Sequence, residues 1–115
     1  EDLFIEYIAV VGDGRKFISA LIVPSFENLE EWATKENIAY NNKTELINHP
    51  AVIRLYENII NDKQKNLGQV EQIKKFTLLE EEFSQETGEI TPTMKVKRKV
   101  VQEKYKDLID KMYEE

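Results

Sequence analysis

The feature that most constrains the fold is an apolar run near the N-terminus, Phe17–Val23. It is apolar at odd and even positions alike, with Ser19 as its single polar residue. Because side chains alternate between the two faces of a strand, such a run is typical of a central strand covered on both sides. Pro24 follows and is predicted to end the strand. The rest of the chain must then supply two covering layers.

Two further runs have strand character. Leu3–Val11 is rich in β-branched and aromatic residues, and Gly12-Asp13-Gly14-Arg15 separates it from the strand that begins near Lys16. Glycines in this connection can supply the positive φ of a tight reversal, so an antiparallel N-terminal β-hairpin is predicted. Ile73–Leu79 returns to strand character, and we expect it to pair with one of the hairpin strands.

The first predicted helix follows the hairpin. Ser25 is predicted to be its N-cap, and the helix is expected to run to about Asn37. Trp32 lies on its apolar side and is interpreted as a core residue. That side consists of Phe26, Leu29, Trp32 and Ala33.

The longest predicted helix begins at Pro50 and runs to about Leu67, with Gly68 as its stop. A polar turn, Asn41-Asn42-Lys43-Thr44, precedes it. His49, the one histidine, has no partner at catalytic or metal spacing, so it is interpreted as a surface or helix-start residue. The apolar stripe of the helix is Val52, Leu55, Tyr56, Ile59 and Ile60.

The last third is predicted to be an exposed loop followed by a C-terminal helix. Phe83–Thr93 has the Ser, Thr, Gly and Pro content of a loop, and Pro92 disfavours helix at the residue before it. Helix is therefore expected to resume only around Lys97 to Lys99. Its apolar stripe is Val101, Tyr105, Leu108 and Met112, widened by Val100, Ile109 and Tyr113.

These elements predict a single α+β domain over residues 1–115: a small sheet of about three strands packed by about three helices. The chain has no cysteine, which excludes a disulfide framework and a thiolate site. Its net charge is -6, from 16 Lys plus Arg against 22 Asp plus Glu, which argues against a nucleic-acid partner. No apolar run approaches the ~20 residues of a membrane span.

One basic segment stands out on this acidic chain. Lys95, Lys97, Arg98 and Lys99, with Lys104 and Lys106 behind them, form a local positive patch. Such a patch suits an anionic small molecule or an acidic surface, although a charge run beside a helix is usually a solvated face. From composition alone, the alternative is a non-catalytic interaction module whose basic patch at residues 95–99 docks an acidic partner or anionic lipid.

A resemblance favours a catalytic interpretation. Thr91-Pro92-Thr93-Met94-Lys95-Val96-Lys97-Arg98, with Val100–Tyr105 and Ile109–Tyr113 after it, resembles the C-terminus of long-chain fatty acid–CoA ligases of the adenylate-forming superfamily. The strands Ile8–Pro24 and Ile73–Leu79 are similar to those of that family's C-terminal lid domain. The resemblance implies that residues 1–115 are this lid domain, without the large N-terminal domain and the hinge.

The resemblance also implies a site. In most of the superfamily, the catalytic lysine follows a Ser-Gly pair and precedes a hydrophobic residue and a basic pair. Lys95 matches this position, although Thr93-Met94 stands where Ser-Gly would be, and the departure leaves Lys97 as a rival. Lys63 and Lys65 stand where relatives can offer a basic residue to the CoA 3′-phosphate. The alternative for these two is a plain role as helix-end charges.

The implied activity is ATP-dependent acyl-adenylate formation, followed by rotation of the domain and thioester formation with CoA. ATP, Mg²⁺ and CoA are expected to bind mainly to the N-terminal adenylating domain, which is the expected partner, so the fragment alone should be inactive. Fatty acid, ATP and CoA are the implied substrates. A cytoplasmic location is expected, with peripheral association at the inner face of the membrane as an option.

Overall fold

The computed structural model describes residues 2–114, and its centre is a three-stranded mixed sheet. The strands are β1 (Ile5–Val11), β2 (Ile18–Pro24) and β3 (Ile73–Leu78), in the order β1-β2-β3. β1 and β2 are antiparallel, with Ile8 opposite Ile22. β2 and β3 are parallel. The predicted hairpin and the pairing of the third strand are confirmed.

β2 is the central strand, as predicted, because both of its faces are apolar. Residues 19–24 are all buried. Gly14 at the preceding turn has a φ of +71°, a value that glycine adopts without a steric cost. The amide N–H of Arg15 donates to the Gly12 carbonyl at 3.1 Å and closes the turn. Alternate β2 side chains therefore face two separate cores.

One face of the sheet is covered by the helices α1 (Phe26–Lys35), α2 (Lys43–Asn48) and α3 (Pro50–Gln64). We call the cluster between them and the sheet the helical core. Trp32 packs at its margin with its ring edge-on to Phe4, which agrees with its interpretation as a core residue. The buried residues of the helical core are Ala20, Ile22, Phe26, Leu29, Ala33, Leu46, Ile47, Val52, Tyr56, Ile60 and Leu78.

The starts of two helices are fixed by side-chain caps. The Asn42 side chain accepts a hydrogen bond from the backbone N–H of Glu45 at 2.9 Å and begins α2, where the sequence predicted only a turn. Six residues are too few to show a helical period, which is why the pattern missed this helix. His49 Nδ1 accepts from the N–H of Ala51 at 3.0 Å, confirming a helix-start role.

Some predicted boundaries were wrong. Ser25 is the N-cap of α1 as predicted, although its side chain makes no capping hydrogen bond, but the helix ends at Lys35 rather than near Asn37. α3 ends at Gln64 rather than near Leu67, and Gly68 has a φ of -66° instead of the positive value of a glycine stop. At this end the Gln72 side chain donates to the Leu67 carbonyl at 2.9 Å, while the Gln64 amide accepts from the Ile73 N–H at 2.8 Å and donates to the Ile73 carbonyl at 3.0 Å.

A short 3₁₀ turn, Gln69–Glu71, connects α3 to β3. The other face of the sheet is covered by α4 (Arg98–Lys104), α5 (Lys106–Met112) and the loop before them. We call the buried cluster here the C-terminal core. Its buried members are Ala9, Val11, Leu21, Val23, Leu79, Phe83, Ile90, Val101, Ile109 and Met112.

The C-terminal segment was predicted as one helix but forms two. Tyr105 interrupts it with a φ of -109° and a ψ of 27°, outside the helical range. Leu108 was placed on the apolar stripe, yet 37% of it is exposed. None of the helices within residues 2–114 has the length and apolar character needed to cross a membrane.

Candidate functional site

The segment between β3 and α4 ends in a short hairpin, residues 89–97, which we call the lysine hairpin. Ile90 and Val96 form an isolated antiparallel bridge. Beyond it, the Thr91 N–H donates to the Lys95 carbonyl at 2.8 Å, and the Met94 N–H donates to the Thr91 carbonyl at 2.8 Å. The sequence predicted an exposed loop here, and the structure adds that the loop is internally hydrogen-bonded.

The tip of the hairpin is shaped by turn chemistry. Pro92 occupies the second position of the turn, where its fixed φ is favourable. Met94 has a φ of 65°, in the left-handed region that residues other than glycine seldom adopt. The Thr91 hydroxyl accepts from the Lys95 N–H at 3.1 Å and lies 3.0 Å from the Thr93 hydroxyl. The backbone at Lys95 is therefore held by two bonds to one residue.

Lys95 and Lys97 project away from the core. Val96 between them packs on the C-terminal core, whereas both lysines are exposed. Neither ammonium has an ion-pair partner among residues 2–114. The two lysine side chains are thus exposed to solvent, while Val96 between them holds the hairpin against the C-terminal core.

The base of the hairpin contains a buried carboxylate that the sequence analysis did not identify. Glu89 has no exposed surface. One of its carboxylate oxygens accepts from the Ser84 N–H at 3.0 Å and from the Thr87 hydroxyl. The other accepts from Lys104 Nζ at 2.7 Å, which joins the hairpin to α4. No periodic pattern marks Glu89, because its partners lie in a loop and on a later helix.

The environment keeps this carboxylate ionised. Burial alone raises the pKa of Glu89, but the hydrogen bonds from Lys104, Thr87 and Ser84, with the Lys104 charge, outweigh burial and lower the pKa to about 2. The hydrogen bond to Glu89 raises the pKa of Lys104. The pair is charged throughout the neutral range, so its contacts are charge-assisted hydrogen bonds.

The end of the hairpin is fixed by Arg98. Its Nε and Nη2 donate to the Val10 carbonyl of β1 at 3.1 and 2.8 Å. Lys104 binds Glu89, and Lys106 binds Asp110 at 2.6 Å. The basic patch predicted from sequence therefore divides: these three cations have structural partners, while Lys95, Lys97 and Lys99 have no ion-pair partner within the described chain.

The structure does not bring Lys63 or Lys65 to the lysine hairpin. Both lie at the end of α3, which packs on the helical core, whereas the hairpin packs on the opposite face of the sheet. Lys63 Nζ is 3.7 Å from an Asp2 carboxylate oxygen, and Lys65 Nζ is 3.4 Å from one of Asp62. No three His, Asp or Glu side chains of residues 2–114 converge on a possible metal site.

Comparison with known proteins gives concordant results. The family described as AMP-binding enzyme C-terminal domain matches residues 1–115. The long-chain-fatty-acid–CoA ligase FadD15 of Mycobacterium tuberculosis is 37% identical over 115 residues, covering 95% of this chain and 18% of the ligase. The long-chain-fatty-acid–CoA ligase ACSBG1 of Bos taurus is 35% identical over 123 residues, covering 92% of this chain and 17% of its own length.

A solved structure shares the fold. The adenylation domain of a carboxylate reductase from Mycobacterium chelonae superposes with a TM-score of 0.72 at 22% identity, covering 96% of this chain and 16% of that one. The predicted α+β fold class is therefore confirmed. The chain spans less than a fifth of either ligase. Since the family match extends over its whole length, the chain belongs to the AMP-binding enzyme C-terminal domains.

Proposed function

We propose that this chain is the C-terminal domain of a long-chain fatty acid–CoA ligase, in which Lys95 stabilises the formation of an acyl-adenylate. The observation that carries the proposal is the positive φ of Met94, directly before an exposed lysine. In the superfamily pattern a glycine precedes the catalytic lysine, and the left-handed conformation is the one glycine adopts most readily. This supports Lys95 over Lys97, which follows the bridged residue Val96.

The chemistry needs a positive charge at a defined place. An oxygen of the fatty carboxylate attacks the α-phosphorus of ATP, and the bond to the pyrophosphate oxygen breaks as pyrophosphate leaves. Negative charge grows on the phosphoryl and bridging oxygens during this step, so an ammonium beside them lowers the barrier. The Lys95 side chain is solvent-accessible and has no carboxylate partner within residues 2–114, so its charge is available to a bound nucleotide.

The remaining parts of the reaction are assigned to the rest of the enzyme. The N-terminal adenylating domain holds ATP, Mg²⁺ and the acyl chain, and this domain closes over it as a lid that the hinge connects. After adenylation the domain rotates, and the CoA thiol attacks the acyl carbonyl and releases AMP. Lys63 and Lys65 stay candidates for the CoA 3′-phosphate. Their place on the opposite face of the sheet from Lys95 fits a domain that presents different faces in the two steps.

The test compares two alanine variants of the full-length ligase in separate half-reactions. For Lys95→Ala, we expect the adenylation rate to fall on the order of 10²–10³-fold, because one preorganised charge is lost. Thioester formation from supplied acyl-adenylate should change far less. Pyrophosphate release measures the first step, and acyl-CoA formation measures the second.

Lys97→Ala is the matched control, since it removes the same charge two positions away on the same exposed side. It should leave adenylation within about 3-fold of the parent rate. If Lys97→Ala has the larger effect, Lys97 is the catalytic lysine. Equal losses in both half-reactions of Lys95→Ala would contradict the proposed role.

The alternative is an interaction module in which the patch at residues 95–99 docks an acidic partner or anionic lipid. It requires several cations to act together, but the Arg98 guanidinium already binds the Val10 carbonyl. The alternative predicts salt-sensitive binding that depends on Lys97 and Lys99 as much as on Lys95. We also propose that the full-length enzyme is cytoplasmic and contacts the inner face of the membrane peripherally.

A further inference from the structure

We propose that Glu89 is a positioning residue for Lys95: its buried carboxylate, joined to Lys104, fixes the base of the lysine hairpin so that the lysine meets the nucleotide in one orientation. The inference rests on the proposed function of Lys95. It concerns a residue that neither touches the substrate nor carries the charge needed for adenylation.

The Glu89 carboxylate is buried and fully hydrogen-bonded. A carboxylate without any exposed surface is expensive to bury unless every oxygen is bonded. Glu89 meets this condition with donors from Ser84, Thr87 and Lys104. The Lys104 side chain is 37% exposed and reaches Glu89 from the solvent side, so the pair ties the base of the hairpin to α4 at a defined position.

A continuous series of hydrogen bonds connects Glu89 to Lys95. The Glu89 carbonyl accepts from the Lys97 N–H at 2.7 Å, and its own N–H donates to the Ser84 carbonyl at 3.2 Å. The Thr91 N–H donates to the Lys95 carbonyl and completes the bridge of Ile90 and Val96, and the Thr91 hydroxyl accepts from the Lys95 N–H. A shift of the Glu89 side chain is therefore transmitted to the hairpin tip.

Polar contacts anchor both ends of the hairpin. Glu89 joins the incoming strand to α4 through Lys104, and Arg98 joins the outgoing end to β1 through the Val10 carbonyl. Between them, Ile90 and Val96 pack on the C-terminal core. Electrostatic catalysis depends steeply on distance, and a misplacement of about 1 Å can reduce a rate about 10²-fold. Loss of one anchor should therefore impair adenylation.

The experiment uses Glu89→Gln in the full-length ligase. The amide keeps the shape and one acceptor oxygen but presents an NH₂ group to the Lys104 ammonium. We expect kcat for adenylation to fall about 10-fold or more, with a smaller change in KM for ATP and nearly unchanged thioester formation from supplied acyl-adenylate. Hydrogen exchange should accelerate at the Thr91 and Lys97 amides and stay unchanged in β2.

Tyr56→Phe is the matched structural control. It also removes one buried hydrogen bond, from the Tyr56 hydroxyl to the Phe4 carbonyl at 2.7 Å, but in the helical core. It should lower the melting temperature to a similar extent and leave adenylation unchanged. If it reduces adenylation as much as Glu89→Gln does, the effect is general destabilisation and the inference is overturned.

A double-variant cycle with Lys95→Ala separates the two proposals. If Glu89 acts through Lys95, adding Glu89→Gln to Lys95→Ala should reduce adenylation by no more than about 2-fold further. Additive losses would overturn the positioning role while leaving Lys95 catalytic. Unimpaired adenylation by Lys95→Ala alone would overturn the proposed function, and the inference with it. If Glu89→Gln does not fold, Thr87→Val replaces it in every comparison. This variant removes one hydrogen-bond donor to Glu89 at an exposed residue, so the expected loss of adenylation rate is smaller.

Discussion

The two faces of the sheet are covered in different ways. On the first face, three helices bury a continuous apolar cluster, and the buried polar groups beside it are few: the Tyr56 hydroxyl donates to the Phe4 carbonyl, and the Gln64 amide bonds Ile73. On the second face, two short helices and an irregular loop cover a comparable cluster, but polar side chains fix the covering segments in place. Glu89 and Arg98 are the main examples.

The difference follows from the backbone on each side. A helix satisfies its own backbone groups, so it needs only an apolar stripe to stay in place. An irregular loop has unpaired backbone groups and little area to bury, so it needs side chains as hydrogen-bond partners. Polar contacts thus help to hold the segments that cover the C-terminal core, where the candidate site lies. The helices that cover the helical core are held mainly by apolar packing. Three substitutions or changes of condition test this contrast.

Leu29→Ala should have the largest effect on stability. Leu29 is fully buried in the helical core, and its truncation should lower the free energy of unfolding by about 3 kcal/mol, through lost burial and a cavity. Urea unfolding of the chain measures this loss. Below the unfolding transition, hydrogen exchange of the Thr91 and Lys97 amides should stay at parent levels. Faster exchange there would show that the two faces are not independent.

Acid should act on the second face. The pKa of Glu89 is lowered from an ordinary 4.5 to about 2, so protons bind more tightly to the unfolded chain. The stabilisation that ionised Glu89 gives to the folded chain is therefore complete above about pH 5 and is lost as the pH falls towards about 2. Solvent screening at Lys104, which is 37% exposed, keeps this contribution below the roughly 3 kcal/mol that an unscreened shift of this size would give. Urea unfolding across this range should show a shallower pH dependence for Glu89→Gln than for the parent. Identical slopes would contradict the assignment.

Substitutions of Met94 should have the smallest effect and test the hairpin tip alone. A β-branched residue is strained at a φ of 65°, so Met94→Val should lower the free energy of unfolding by about 1–2 kcal/mol. Met94→Gly should be nearly neutral, because relief of strain is offset by a more flexible unfolded chain. A fully tolerated valine would mean that the left-handed conformation is not needed.

The same contrast explains what the sequence could predict. The apolar run of β2 and the stripes of α1 and α3 are periodic signals, and they led to the correct sheet and first core. The interruption at Tyr105 and the short helix α2 lack such a signal. Lys95 was identified through resemblance to a family motif. The contacts that hold it were not, because they follow no periodic pattern and some join remote residues: Arg98 and the Val10 carbonyl are 88 positions apart.

Two of the side-chain contacts described above also bear on how this domain avoids associating with other chains. β1 and β3 are the outer strands of a sheet that does not close, and outer strands offer unpaired backbone groups to any passing strand. Arg98 occupies the Val10 carbonyl on one edge, and the Gln64 amide occupies both backbone groups of Ile73 on the other. At these positions, a side chain of the same domain therefore occupies the backbone groups that another strand would need for pairing.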